Sequence, residues 1–277
     1  MRPSIGGVLN QTADPFPATR IERALGHPRA ASVVLLVLLP LVCWSWIVVM
    51  ARDMSGPMTG ASAWMMTQEW DARHLFLLWA MWAVMMAGMM LPSAAPLLLL
   101  YGAAARRRAG GSPATYEIYA LAAGYVAIWS CFSVAAAGAQ RILSMLLVLS
   151  PMMTLTSPIA GAALLLIAGI YQMTPLKSVC LQQCQSPLSF LMLHWRPGGG
   201  GAFRMGVDHG VYCLGCCWAL MALLFVGGVM NLAVIATLTA IVAFEKLGPF
   251  GVRAARASGA LLIAAGVWML LAPGGLR

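Results

Sequence analysis

The chain has 277 residues, 61% of them hydrophobic and only 9% charged, with a mean hydropathy of +0.84. Soluble domains are roughly half apolar and about a quarter charged, so this balance excludes a soluble enzyme, a disordered tail and a secreted disulfide scaffold. Seventeen Lys and Arg against eight Asp and Glu leave a formal net charge of +9; in so apolar a chain that excess reflects loops kept on the cytoplasmic side, not nucleic-acid binding.

The expected fold is an all-α polytopic transmembrane bundle of about seven spans, six being possible. It is placed in the bacterial inner (cytoplasmic) membrane with its N-terminus in the cytosol and the lipid bilayer as its surroundings. Residues 1–30 carry Arg2, Arg20, Arg23 and Arg29, four prolines and no apolar core. They read as a basic cytosolic tail and not as a cleaved signal, and residues 31–277 read as one transmembrane domain. Span one runs from Ala31 to about Met50. Span two covers about His74 to Ala104, with Pro92 and Pro96 expected to kink it. Span three is about Tyr116 to Gln140. Span four starts near Pro158 and continues past Pro175 as a half-polar interfacial helix to about Leu193. The run Arg196-Pro-Gly-Gly-Gly-Gly reads as a flexible linker. Spans five (about Val207 to Val229) and six (about Met230 to Phe244) are separated only by Gly227, Gly228 and Asn231, and span seven is about Ala254 to Ala272. With the N-terminus inside, thirteen of the seventeen basic residues fall on the cytosolic side, and only Arg52, Arg73, Arg141 and Arg277 fall outside.

Chemistry concentrates in the cysteines. Cys43 and Cys131 are alone in apolar spans and read as small hydrophobes. The other five lie within 38 residues. Cys180 and Cys184 are four apart, on one helical face; His209, Cys213 and either Cys216 or Cys217 form a second ladder at i, i+4 and i+7 or i+8. If the two helices adjoin, four of these groups satisfy a tetrahedral thiolate–imidazole site for Cu(I), zinc or iron. Redox-active thiols and inert packing are the alternatives. Asp208 beside His209 is a candidate to fix the imidazole tautomer, or equally a solvated helix-end carboxylate.

Methionine, with twenty residues, gives a second pattern. Met81, Met85 and Met89 form an i, i+4, i+8 stripe in span two, with Met86 and Met90 on a neighbouring face. Such a stripe is ordinarily core filling, yet thioethers favour Cu(I), so Met85, Met86, Met89 and Met90 are secondary ligand candidates. Glu245 and Lys246 lie at a helix end, where snorkelling to the interface is expected. No phosphate-binding loop, nucleophile elbow or paired intramembrane carboxylates occur, and no two of the four histidines share a span, so nothing marks a reaction.

Three blocks carry a family resemblance: Met85-Met-Ala-Gly-Met-Met-Leu-Pro92; Tyr171-Gln-Met-Thr-Pro-Leu-Lys177-Ser-Val-Cys180-Leu-Gln-Gln-Cys184; and His209-Gly-Val-Tyr-Cys213-Leu-Gly-Cys216-Cys217-Trp218. Over roughly residues 70–250 the chain resembles the bacterial family of predicted metal-binding integral membrane proteins. That resemblance implies an inner-membrane helical protein with a metal site and brings no established reaction. The expectation is a soft-metal binder, Cu(I) first, which holds, moves or delivers the ion to a membrane metalloenzyme. A membrane thiol–disulfide oxidoreductase and a noncatalytic subunit of a larger membrane complex are the competing readings.

Overall fold

A computed structural model describes residues 28–54, 71–108, 115–146, 149–150 and 153–271. The described residues fold into helices with no β-strand, only one isolated bridge between Leu149 and Leu155. Residues 1–27, most of the expected cytosolic tail, lie outside the described residues. The helices are α1 (Leu39–Met54), α2 (Ala72–Met90), α3 (Ala95–Arg108), α4 (Thr115–Met145), α5 (Pro158–Gln172), α6 (Pro175–Gln185), α7 (Pro187–His194), α8 (Gly198–Ala222), α9 (Leu232–Leu247) and α10 (Gly251–Leu271).

Start signals are local. Asp71 caps α2 by accepting from His74 N at 2.7 Å. Ser157 and Thr174 cap α5 and α6, each followed by a proline at the first helical position, where its missing N–H leaves no bond unmade. Asn231 caps α9 through Ala233 N and Val234 N.

Proline also sets the two bends that shape the site. Pro92 interrupts the apolar run of span two, and a 3₁₀ turn at Pro92–Ala94 joins α2 to α3, because proline lacks the donor a continuing helix needs. Pro175 does the same between α5 and α6, which meet at 64°. The helix thus restarts at Thr174 in a new direction and α6 lies across α8 instead of prolonging α5. A third break at Ser186 ends α6 and starts α7.

Helix α8 is the centre of the bundle and packs along α4 and α6; α5 packs along α10, and α2 lies between α1 and α4. The α4–α8 crossing is backbone against backbone. A Cβ on Gly124 would run into the Phe203 carbonyl, and one on Gly206 into the Leu121 carbonyl, so both positions must be glycine for the helices to approach this closely. The core between these helices includes Trp82, Tyr101, Trp129, Phe190 and the methionines of α2.

One expectation is corrected here. The tetraglycine run is not a linker: Gly198–Gly201 form the first turn of α8. Tertiary packing overrides its weak helix propensity, since Gly199 sits against the Tyr116 ring and Gly201 against the Arg196 backbone, where side chains would collide. Among the described residues five helices are long and apolar enough to cross a membrane, Ala31–Met54, Ala72–Arg108, Thr115–Met145, Gly198–Gly227 and Gly251–Leu271, and a sixth arises if the bent pair α5–α6 is one span. The expected sixth span is α9, whose 16 residues reach about 24 Å at the rise of an α-helix, less than the ~30 Å of a hydrocarbon core.

Candidate functional site

The bend at Pro175 and the close α4–α8 crossing bring the two cysteine ladders together. Cys184 Sγ on α6 is 4.0 Å from Cys216 Sγ on α8. Cys180, one turn earlier and partly exposed, sits over Gly215, where an added Cβ would come 2.8 Å from its sulfur. The lack of a side chain at Gly215 makes room for that thiol. Tyr171 Oη donates to the Gly215 carbonyl from the end of α5. Cys216 and Cys217 both donate to the Cys213 carbonyl, at 3.1 and 2.8 Å, the i−3 and i−4 back-bonds that short polar side chains make in a helix. Successive residues on a helix point about 100° apart, so the adjacent thiols diverge. Cys216 faces Cys184, whereas Cys217 faces Met90, with its sulfur 3.9 Å from the thioether.

Met90 is held in place by the break at Pro92. Its carbonyl accepts from Ser93 Oγ at 2.7 Å and from Tyr125 Oη at 3.0 Å. Tyr125 Oη also lies 2.9 Å from Cys213 Sγ. A buried lysine closes the network: Lys246 Nζ donates to Cys213 Sγ at 2.7 Å and to Ser93 Oγ at 3.2 Å. Sequence reading misses this contact. Lys246 does not snorkel, and neither does Glu245, each being at most 5% exposed. Glu245 instead pairs with Lys177 at 2.6 Å and accepts from Gln172 Nε2 and Ser258 Oγ at 2.8 and 2.9 Å. Buried ions persist when paired and hydrogen-bonded, and this pair ties α6 to α9 behind the thiols. The sequence signal for it is opposite charge: Lys177 is a lone charge in its segment, and Glu245 is an acid in an apolar helix, although the adjacent Lys246 offers a competing partner.

The remaining candidates fall around this centre. His209 is 3% exposed, packed against the rings of Tyr125 and Phe190, and its Nδ1 has no hydrogen-bond partner. Asp208 does not orient it: the Asp208 carboxylate faces Arg196 at 3.7 Å and is partly exposed, since adjacent residues leave the helix in different directions. Met85, Met86 and Met89 are buried in the core beside Met81, and Met90 is the member of the stripe whose sulfur meets a thiol. Cys43 is buried against Gly88, and Cys131 is exposed.

Among the described residues no three His, Cys, Asp or Glu side chains stand where they would together hold a metal ion. The soft donors meet as Cys184 with Cys216 and Cys217 with Met90, and Cys213, bonded by Tyr125 and Lys246, lies among these thiols. Fold and site together define an all-helical bundle, with helices long enough to cross a membrane, enclosing paired sulfur donors. The PpoB2 copper chaperone family matches residues 79–269, from α2 to α10, and the chain belongs to that family. The match contains every sulfur of these pairs and leaves α1 outside. No curated protein and no solved structure shows significant similarity to the chain.

Proposed function

We propose that the protein is a membrane-embedded copper chaperone of the bacterial inner membrane that binds Cu(I) between paired sulfur ligands and passes it to a membrane metalloenzyme. The observation that carries this reading is the Cys184–Cys216 pair. Its 4.0 Å sulfur separation is a little under twice a metal–thiolate bond of about 2.3 Å, so one ion fits between the sulfurs with small side-chain movement. Cu(I) is satisfied by two soft donors, whereas zinc sites are almost always tetrahedral with four.

The arrangement also supports movement of the ion. Cys180 is the partly exposed thiol at the edge of the cluster, Cys184 and Cys216 form the buried pair, and Cys217 with Met90 is a thiol–thioether pair deeper against α2. Passing from one pair to the next is ligand exchange at constant oxidation state: an incoming sulfur bonds as an outgoing one releases. His209, with its unpartnered Nδ1 beside this route, is a candidate further ligand.

The test is Cu(I) titration of the purified full chain in detergent under reducing conditions, against a chromophoric Cu(I) chelator. Wild type retains copper against the chelator, and Cys184→Ser/Cys216→Ser loses the tightest equivalent while remaining monodisperse. Unchanged retention in that double variant overturns the assignment.

A further inference from the structure

The buried methionines beyond Met90 are the feature that copper binding at the thiols leaves unused. Helix α8 carries Met205, His209, Cys213, Cys217 and Met221 at strict i+4 spacing, all of them buried, which lines one helical face with soft donors. Two contacts fix how this face meets α2. Cys217 Sγ is 3.9 Å from Met90 Sδ, and the rings of Trp82 and Phe225, the latter at the end of the same span as α8, lie 5.3 Å apart. Phe225 is eight residues beyond Cys217 and Trp82 is eight residues before Met90. The two helices therefore run antiparallel, and their midpoints, Met221 and Met86, stand at one height, both fully buried.

Helix α1 continues the series. It packs along α2, with Gly88 so close that an added Cβ would come 2.9 Å from Cys43 Cβ. Met50 is seven residues beyond Cys43 and Met81 is seven before Gly88, which sets these two buried thioethers at one height. One further turn of α1 brings Met54 to a cavity of about 480 Å³ between the close of α1 and the start of α9, where Met230 joins it. All these methionines belong to one continuous core. The exposed Arg52 lines the same cavity, and its charge repels a cation arriving there, so the cavity suits an outlet and not a store. Arg106, Arg107 and Arg108 close α3 at the other end of the bundle.

We propose that these methionines form a route along which Cu(I) moves lengthwise through the bundle. It leads from the thiols past Met90, then Met86 with Met221, then Met81 with Met50, to release at the cavity of Met54 and Met230. The proposal rests on the copper reading above and goes beyond it: the protein translocates the ion toward the face opposite Arg106–Arg108 in addition to exchanging it at Cys180. Thioethers are soft, neutral donors suited to Cu(I), on a side chain flexible enough to follow a moving ion. Successive stations on one helix are roughly 6–8 Å apart along its axis. Each step is ligand exchange at constant oxidation state: one sulfur lone pair bonds copper as another releases it, with no proton to place.

The experiment places the full chain in phosphatidylethanolamine–phosphatidylglycerol vesicles that enclose a membrane-impermeant chromophoric Cu(I) chelator. Cu(I) is supplied outside as its glutathione complex, with protein-free vesicles as the baseline. Wild type is expected to colour the enclosed chelator well above that baseline. Met86→Leu/Met221→Leu, which nearly conserves volume, is expected to slow uptake by about tenfold, while the tightest Cu(I) equivalent in detergent, held by Cys184 and Cys216, stays in place. Met54→Leu/Met230→Leu, at the outlet, is expected to slow uptake likewise and carries the test if the first variant fails to fold. Wild-type uptake at the protein-free baseline, or a folded variant of either kind within about twofold of the wild-type rate, overturns the route. If Cys184→Ser/Cys216→Ser retains copper in detergent, the copper reading itself has failed. If that variant loses copper and wild-type vesicles take up none, the route alone has failed.

Discussion

Single residues decide the site because each buried charge has its own partners and each buried sulfur one direction. Lys177 and Glu245 form a buried ion pair between α6, which carries Cys180 and Cys184, and α9, which carries Lys246. Removing one partner leaves the other buried and unpaired, which typically costs about 3–5 kcal/mol. Glu245→Ala is therefore expected to unfold in detergent at clearly lower denaturant or temperature than wild type. Lys177→Met/Glu245→Met recovers most of that loss, because replacing both partners by apolar groups is often near neutral. Equal stability of Glu245→Ala and wild type would show that the pair is not buried as described. The pair is only half legible in the sequence. Opposite charges in apolar surroundings are visible there, but the split of Glu245 toward Lys177 and Lys246 toward Cys213 depends on helix phase and on which helices adjoin. The same rotation separates Cys216 from Cys217 and turns Asp208 away from His209, contrary to the simplest reading of adjacency.

At the scale of elements, proline and glycine do the positioning. Both cysteine ladders are legible from i, i+4 spacing, and so is the kink at Pro92. The 64° turn at Pro175, which lays α6 across α8, reads in the sequence as a continuation because a proline announces a break and not the new direction. The tetraglycine run misleads for a related reason: glycine lowers helix propensity, yet close packing at the start of α8 selects residues without side chains. Two kinds of glycine can be told apart by experiment. Gly206→Val must push α8 off the Leu121 carbonyl, so it should collapse folded yield and disperse the cysteine pair. Gly138, in α4, has open space where a Cβ would stand, with nothing within 4 Å, and Gly138→Ala should stabilise by about 0.5–1 kcal/mol by removing glycine's entropic penalty in a helix. Parallel thermal unfolding of the two variants checks this; a tolerated Gly206→Val would contradict the backbone-to-backbone crossing.

For the whole molecule, composition points to an apolar helical bundle, and among the described residues five or six helical segments are long enough to cross a membrane. Helix α9, of 16 residues, is anchored at one end by the buried Glu245 and Lys246. That end is where the two buried cations, the thiols and the broken α2–α3 helix converge. Membership of the PpoB2 copper chaperone family and the Cys184–Cys216 sulfur pair support the proposed account, in which the bundle keeps Cu(I) dry, bound and exchangeable. The most direct test is the copper K-edge absorption spectrum of the full chain loaded with one equivalent of Cu(I). The account predicts a monovalent ion with two sulfur neighbours, a shell that disappears in Cys184→Ser/Cys216→Ser. A stoichiometric ion surrounded by nitrogen or oxygen, or a sulfur shell that survives the double substitution, would contradict it.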